Sequence, residues 1–102
     1  YKTANCNKLV PIGHNVAFDV RKICTTLLNK GSWDQYVSYR VLDTCTIAQF
    51  YRLSGKLPEN TSCSLVGLTE YFNMSNDTQG KPHEAKYDTL NTINVLAKLL
   101  AI

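Results

Sequence analysis

The chain alternates short apolar runs with longer stretches of helical periodicity, the pattern of β/α units. Residues 9–12, Leu-Val-Pro-Ile, read as a short strand bounded by Gly13, with Pro11 marking a position whose nitrogen need not pair. Asn15 is placed to cap the helix that follows. Over 16–29, Val20, Ile23, Cys24, Leu27 and Leu28 recur at helical spacing, and Gly31 is read as the helix stop. Residues 37–42 form the second expected strand, and Asp43-Thr44 offers capping oxygens to a helix over 45–53 that ends at Ser54-Gly55. After a loop over 58–64, Leu65, Leu68 and Phe72 predict a short helix. The polar stretch 75–82 is read as a mobile surface loop. A final helix over 84–100 carries Tyr87, Leu90, Ile93, Leu96, Ala97 and Leu100 along one expected buried side. The whole of 1–102 is thus expected to be a single α/β domain.

Composition narrows this little. The 102 residues, 44% hydrophobic and 19% charged, suffice for one modest core. A net charge of +3 from eleven scattered basic residues is compatible with a polyanionic partner but does not predict one. The apolar runs are too short for a membrane span, and the polar start lacks a signal-peptide pattern, so an intracellular, cytoplasmic protein is expected. Because residue 1 is Tyr rather than Met, the chain is read as a fragment. Cys6, Cys24, Cys45 and Cys63 form no CxxC pair and are read mostly as buried thiols. A secreted disulfide-linked domain is the alternative. Three glycosylation-type triplets, beginning at Asn60, Asn73 and Asn76, favour it, although such residues also serve as turn caps.

Two segments place acids and bases at helix starts: Gly13-His14-Asn15-Val16-Ala17-Phe18-Asp19 and His83-Glu84-Ala85-Lys86-Tyr87-Asp88. Asp19 falls in the first turn of a helix just past a strand, where open α/β folds gather ligands. The plain alternative is an acid that complements the helix dipole. Asp88 sits one turn into the last helix, with His83 ahead of it, and a solvated acid with a surface histidine would explain that pair equally well.

The order of strand, GHNxxFD, amphipathic helix, strand ending in Val-Leu-Asp-Thr, Ser-Leu helix and HxAxxD resembles the DEDDh family of 3′-to-5′ exonucleases, relatives of polymerase proofreading domains. The likeness runs from about Leu9 to Leu100. It implies a ribonuclease H-like fold, present here in part: two parallel strands with flanking helices, lacking an amino-terminal three-stranded meander. It also implies metal-ligand roles for Asp19 and Asp88 and a general-base role for His83. Two divalent cations, Mg²⁺ or Mn²⁺, about 4 Å apart would activate water and stabilise the leaving oxygen. A neutral histidine would accept the proton. The substrate would be the 3′ end of single-stranded DNA or RNA. His14 and Asn15 are candidate substrate contacts, Phe18 is expected to pack on the sheet, and Asp43 to cap rather than bind metal. Trp33 and Tyr36 are candidates to stack on bases.

The chain departs from the family in one decisive respect: no Asp is followed two positions later by Glu, so the DxE motif with its two carboxylates is absent. Little activity is expected from these residues alone. The unpaired edge at 9–12 favours a partner chain or self-association that completes the sheet. A non-catalytic nucleic-acid-binding or assembly module that kept the fold is the alternative function.

Overall fold

The computed structural model describes residues 7–74 and 85–102. It divides into two compact units, Tyr1–Asp43 and Thr44–Ile102. The described residues hold two parallel strands and five helices.

The first unit runs β1 (Ile12–Gly13), α1 (Val16–Thr26), α2 (Lys30–Tyr36) and β2 (Leu42–Asp43). The strands pair in parallel, Ile12 opposite Leu42 and Gly13 opposite Asp43, and an isolated parallel bridge joins Leu9 to Val37. The expected strands 9–12 and 37–42 therefore meet near both ends without a continuous ladder. Pro11 accounts for the gap: it has no N–H to give, and its carbonyl alone serves, accepting from the Leu42 amide at 2.9 Å.

The helix expected over 16–29 is α1, which ends three residues early, and a further helix that the sequence did not announce, α2, follows it. Thr25 and Thr26 both turn their hydroxyls back to the Lys22 carbonyl, at 3.1 and 2.6 Å. Such side-chain bonds compete with the backbone ladder, and α1 stops at Thr26. Asn29 then caps α2, its Oδ1 accepting from the Ser32 amide at 2.7 Å. Gly31 consequently lies inside α2, and Leu27 and Leu28 are exposed instead of buried. Along α2, Lys30 Nζ meets Asp34 Oδ2 at 2.8 Å, and the hydrogen bond and charge of Asp34 hold the Lys30 ammonium above its ordinary pKa. That contribution is fully present below the ordinary lysine range and is lost as pH rises through the raised value.

The second unit contains α3 (Thr44–Leu53), α4 (Leu65–Tyr71) and α5 (Ala85–Leu100), each close to its expected span. Ala48, Leu57, Leu68, Met74, Val95 and Leu99 form its core, with Ile47, Tyr51, Cys63, Leu65 and Phe72 packed around it. The loop before α4 is tied down where Arg52 Nη1 donates to the Thr61 carbonyl at 3.0 Å. Ser64 caps α4 through the Gly67 amide at 3.0 Å. At Gly67 the loop comes so near that an added Cβ would lie 2.5 Å from the Ser62 Cβ.

Helix α5 buries a different side from the one its apolar spacing suggests. Asn91, Thr92, Val95 and Leu99 are buried, whereas Leu90, Ile93 and Leu100 are exposed. The helix is apolar on two sides, and Val95 and Leu99 meet the core formed with α3 and α4. Thr92 tolerates burial because its hydroxyl donates to the Asp88 carbonyl at 2.7 Å.

Cys24, Cys45 and Cys63 are half-buried thiols, and among the described residues no disulfide joins them, which leaves the disulfide alternative without support from these three. Among the described residues no helix is long and apolar enough to cross a membrane. The 75–82 stretch lies outside the described residues.

Candidate functional site

The GHN turn is held from an unexpected direction. Asn15 occupies the N-cap position of α1 in the left-handed region, φ 59° and ψ 47°, and its side chain makes no capping hydrogen bond. Asn is among the few non-glycine residues that adopt this conformation readily. The helix start is satisfied by Asp43 instead: Oδ1 accepts from the Asn15 amide at 2.9 Å and Oδ2 from the Val16 amide at 3.0 Å. The parallel register explains the reach, since Asp43 lies opposite Gly13, two residues before Asn15. A carboxylate that accepts two amides at the positive end of a helix is stabilised by both bonds and by the dipole. Asp43 was expected to cap α3, which follows it in sequence; it caps α1, which precedes it by 28 positions. Gly13 is needed here as well, because an added Cβ would stand 2.9 Å from the Val16 Cβ.

Around this turn, His14 is half-buried, and Asn15 and Asp19 are exposed. Asp19 lies in the first turn of α1, as expected. Phe18 is 58% exposed instead of packing on the sheet, because a two-residue ladder is too narrow to cover it. Trp33 is half-buried and Tyr36 exposed, both on α2.

Asp88 belongs to the second unit, in the first turn of α5, and is half-buried. It lines a cavity of about 190 Å³ whose walls are Leu65, Val66, Thr69 and Glu70 of α4 and Tyr87, Asp88 and Asn91 of α5. Asn91 is 2% exposed, and its Oδ1 is a buried acceptor without a hydrogen-bond partner among the described residues. Unpaired buried polar atoms are rare because they forfeit hydration without replacement. The polar atoms of this cavity are oxygen-rich, and none of its side chains is basic. His83, the expected base, lies outside the described residues.

Asp19 falls in the first unit and Asp88 in the second. The structure establishes the hydrogen bonds of Asp43 to the Asn15 and Val16 amides, and it places Asp88, Glu70 and Asn91 in the lining of one cavity. Reading the sequence passed over both Glu70 and Asn91. Asn91 carried a signal, standing three residues after Asp88 and so on the same helix face. Among the described residues no group of three or more His, Cys, Asp or Glu side chains is gathered to hold a metal ion.

Comparison with known proteins gives one informative likeness. The chain is 27% identical over 100 residues to Ribonuclease T of Buchnera aphidicola subsp. Baizongia pistaciae (strain Bp), covering 97% of this chain and 42% of that protein. The chain thus spans less than half the length of the relative it matches. The likeness supports a distant relationship to an exonuclease family. No family model matches the chain, and no solved structure does.

Proposed function

We propose that this chain is the carboxy-terminal part of a metal-dependent 3′-to-5′ exonuclease of the DEDDh type, with a ribonuclease H-like fold. The likeness to Ribonuclease T along 97% of the chain carries the reading. The GHNxxFD and HxAxxD motifs, in family order, support it, as does the α1 start held by Asp43, which fixes the backbone just ahead of Asp19.

In this reading Asp19 and Asp88 are metal ligands and His83 is the general base. Carboxylate oxygens such as those of Asp19 and Asp88 suit hard divalent cations such as Mg²⁺ or Mn²⁺. When bound, two such ions supply Lewis-acid activation of water and neutralise charge on the transferring phosphate. The chain's own part is to orient and to move a proton. Asp19 and Asp88 present fixed negative charge from the first turns of α1 and α5. Neutral His83 takes the proton from the attacking water, and the phosphodiester breaks on the side of the leaving 3′ oxygen. His14 and Asn15 contact the nucleic acid strand at the α1 start. The two remaining carboxylates come from a DxE segment on the same or a partner polypeptide, and the enzyme is intracellular.

The test is directional. The polypeptide that carries this chain with its upstream residues is assayed with Mg²⁺ or Mn²⁺ on single strands labelled at the 5′ end. Stepwise shortening, blocked by a 3′-phosphorothioate terminus and abolished by metal chelation, is expected. Internal cleavage of a circular single strand would refute the exonuclease reading.

A further inference from the structure

The start of α1 is built differently from the starts of its neighbours. An N-cap residue is ordinarily extended, and its own side chain accepts an amide of the first turn. Asn29 does this for α2 and Ser64 for α4. Asn15 is left-handed instead, φ 59°, and its side chain makes no capping hydrogen bond. The capping oxygens come from Asp43, 2.9 Å from the Asn15 amide and 3.0 Å from the Val16 amide. A sparsely populated backbone conformation persists only where its surroundings hold it, and such outliers gather where placement matters.

Placement is what the two bonds supply. Asp43 ends β2, fixed by its pairing opposite Gly13, and a single methylene separates its backbone from its carboxylate. Both oxygens engage consecutive amides, which fixes the rotation of the first turn as well as its distance from β2. Asp19 follows Asn15 by four residues and so stands one turn on along the same helix face. Whatever sets that first turn therefore sets the position of the Asp19 carboxylate.

We infer that Asp43 is a positioning residue for Asp19: through the Asn15 and Val16 amides, its carboxylate holds the first turn of α1 where Asp19 can serve as a metal ligand. The inference rests on the exonuclease reading for the role of Asp19. It gives a function to a residue outside both the GHNxxFD and the HxAxxD segments. Asp43→Asn is the informative change, because it keeps the shape and one acceptor oxygen but turns an NH₂ group toward the second backbone N–H, donor against donor.

The longer polypeptide tests this with two kinds of readout. Without metal, hydrogen exchange is followed amide by amide. In Asp43→Asn the amides of 15–19 are expected to exchange at least about tenfold faster, with α3, α4 and α5 unchanged. With Mg²⁺ and a labelled single strand, kcat and the Mg²⁺ half-saturation are measured at a temperature where circular dichroism shows the variant fully folded. In Asp43→Asn kcat is expected to fall about ten- to a hundredfold, the scale of loss that a small misplacement brings, and the Mg²⁺ half-saturation to rise. A residue that only stabilised the fold would leave both unchanged in folded protein. Asp43→Glu keeps the charge and both acceptors but carries them one methylene farther from β2, and smaller changes in the same direction are expected. If Asp43→Asn does not fold, the same measurements on Asp43→Glu decide. With the wild type active, a wild-type value of kcat, of Mg²⁺ half-saturation or of exchange at 15–19 in the variant overturns the inference and leaves the exonuclease reading standing. If the wild-type polypeptide shortens no 3′ end, the reading and the inference fall together.

Discussion

Asp43 shows how one side chain can serve an element far from it in sequence. Its carboxylate accepts the Asn15 and Val16 amides, which have no intrahelical partners at the start of α1. The residue type was legible as a cap, but its client was not, because the client follows from the parallel pairing of β1 with β2 and not from sequence neighbours. Asp43→Ala is expected to destabilise the chain by about 2 kcal/mol, the loss of a cap whose hydrogen bonds involve a charged acceptor, measured by urea denaturation. Asn15 occupies the cap position by virtue of its backbone, so its substitutions should sort by conformation and not by polarity. Asn15→Gly is expected to lie within about 0.5 kcal/mol of wild type, and Asn15→Ala to cost about 1 kcal/mol for holding φ positive. The reverse order would mean that the Asn15 side chain, not its backbone, holds the turn.

At the scale of elements, α1, α3, α4 and α5 were legible, whereas α2 and the facing of α5 were not. The α4 and α5 spans follow from apolar spacing and from the Ser64 cap. The helix expected over 16–29 ends early at Thr26, and α2 begins after it, because Thr25, Thr26 and Asn29 each carry side chains that bond locally to the backbone, a conflict invisible to a count of apolar positions. On α5 periodicity chose Leu90, Ile93 and Leu100, while packing chose Val95 and Leu99 with two polar neighbours. The decision lies with the partners: the core residues on α3 and α4 accept only one side of a helix that is apolar on two. Leu99→Ala is therefore expected to cost about 3 kcal/mol and Leu100→Ala less than about 0.5 kcal/mol. Equal losses would contradict the observed facing. Gly67→Ala should cost about 1–3 kcal/mol through its clash with Ser62, and Ser62→Gly in the same chain should recover most of it.

For the molecule as a whole, the motifs name more of the site than the described residues contain. Asp19 and Asp88 stand in the first turns of α1 and α5, as their spacing implied. Glu70 became a neighbour of the Asp88 cavity only when α4 packed on α5, whereas Asn91, three residues after Asp88 on the same helix, was within reach of the sequence. The central claim is that Asp88 is a metal ligand in an exonuclease, and the most direct measurement is single-turnover cleavage of a 3′-terminal nucleotide by the longer polypeptide with Mg²⁺, comparing wild type with Asp88→Asn. The account predicts a rate loss of at least about a thousandfold, equivalent to about 4 kcal/mol of transition-state stabilisation, with the urea midpoint unchanged. An undiminished rate in Asp88→Asn would contradict it.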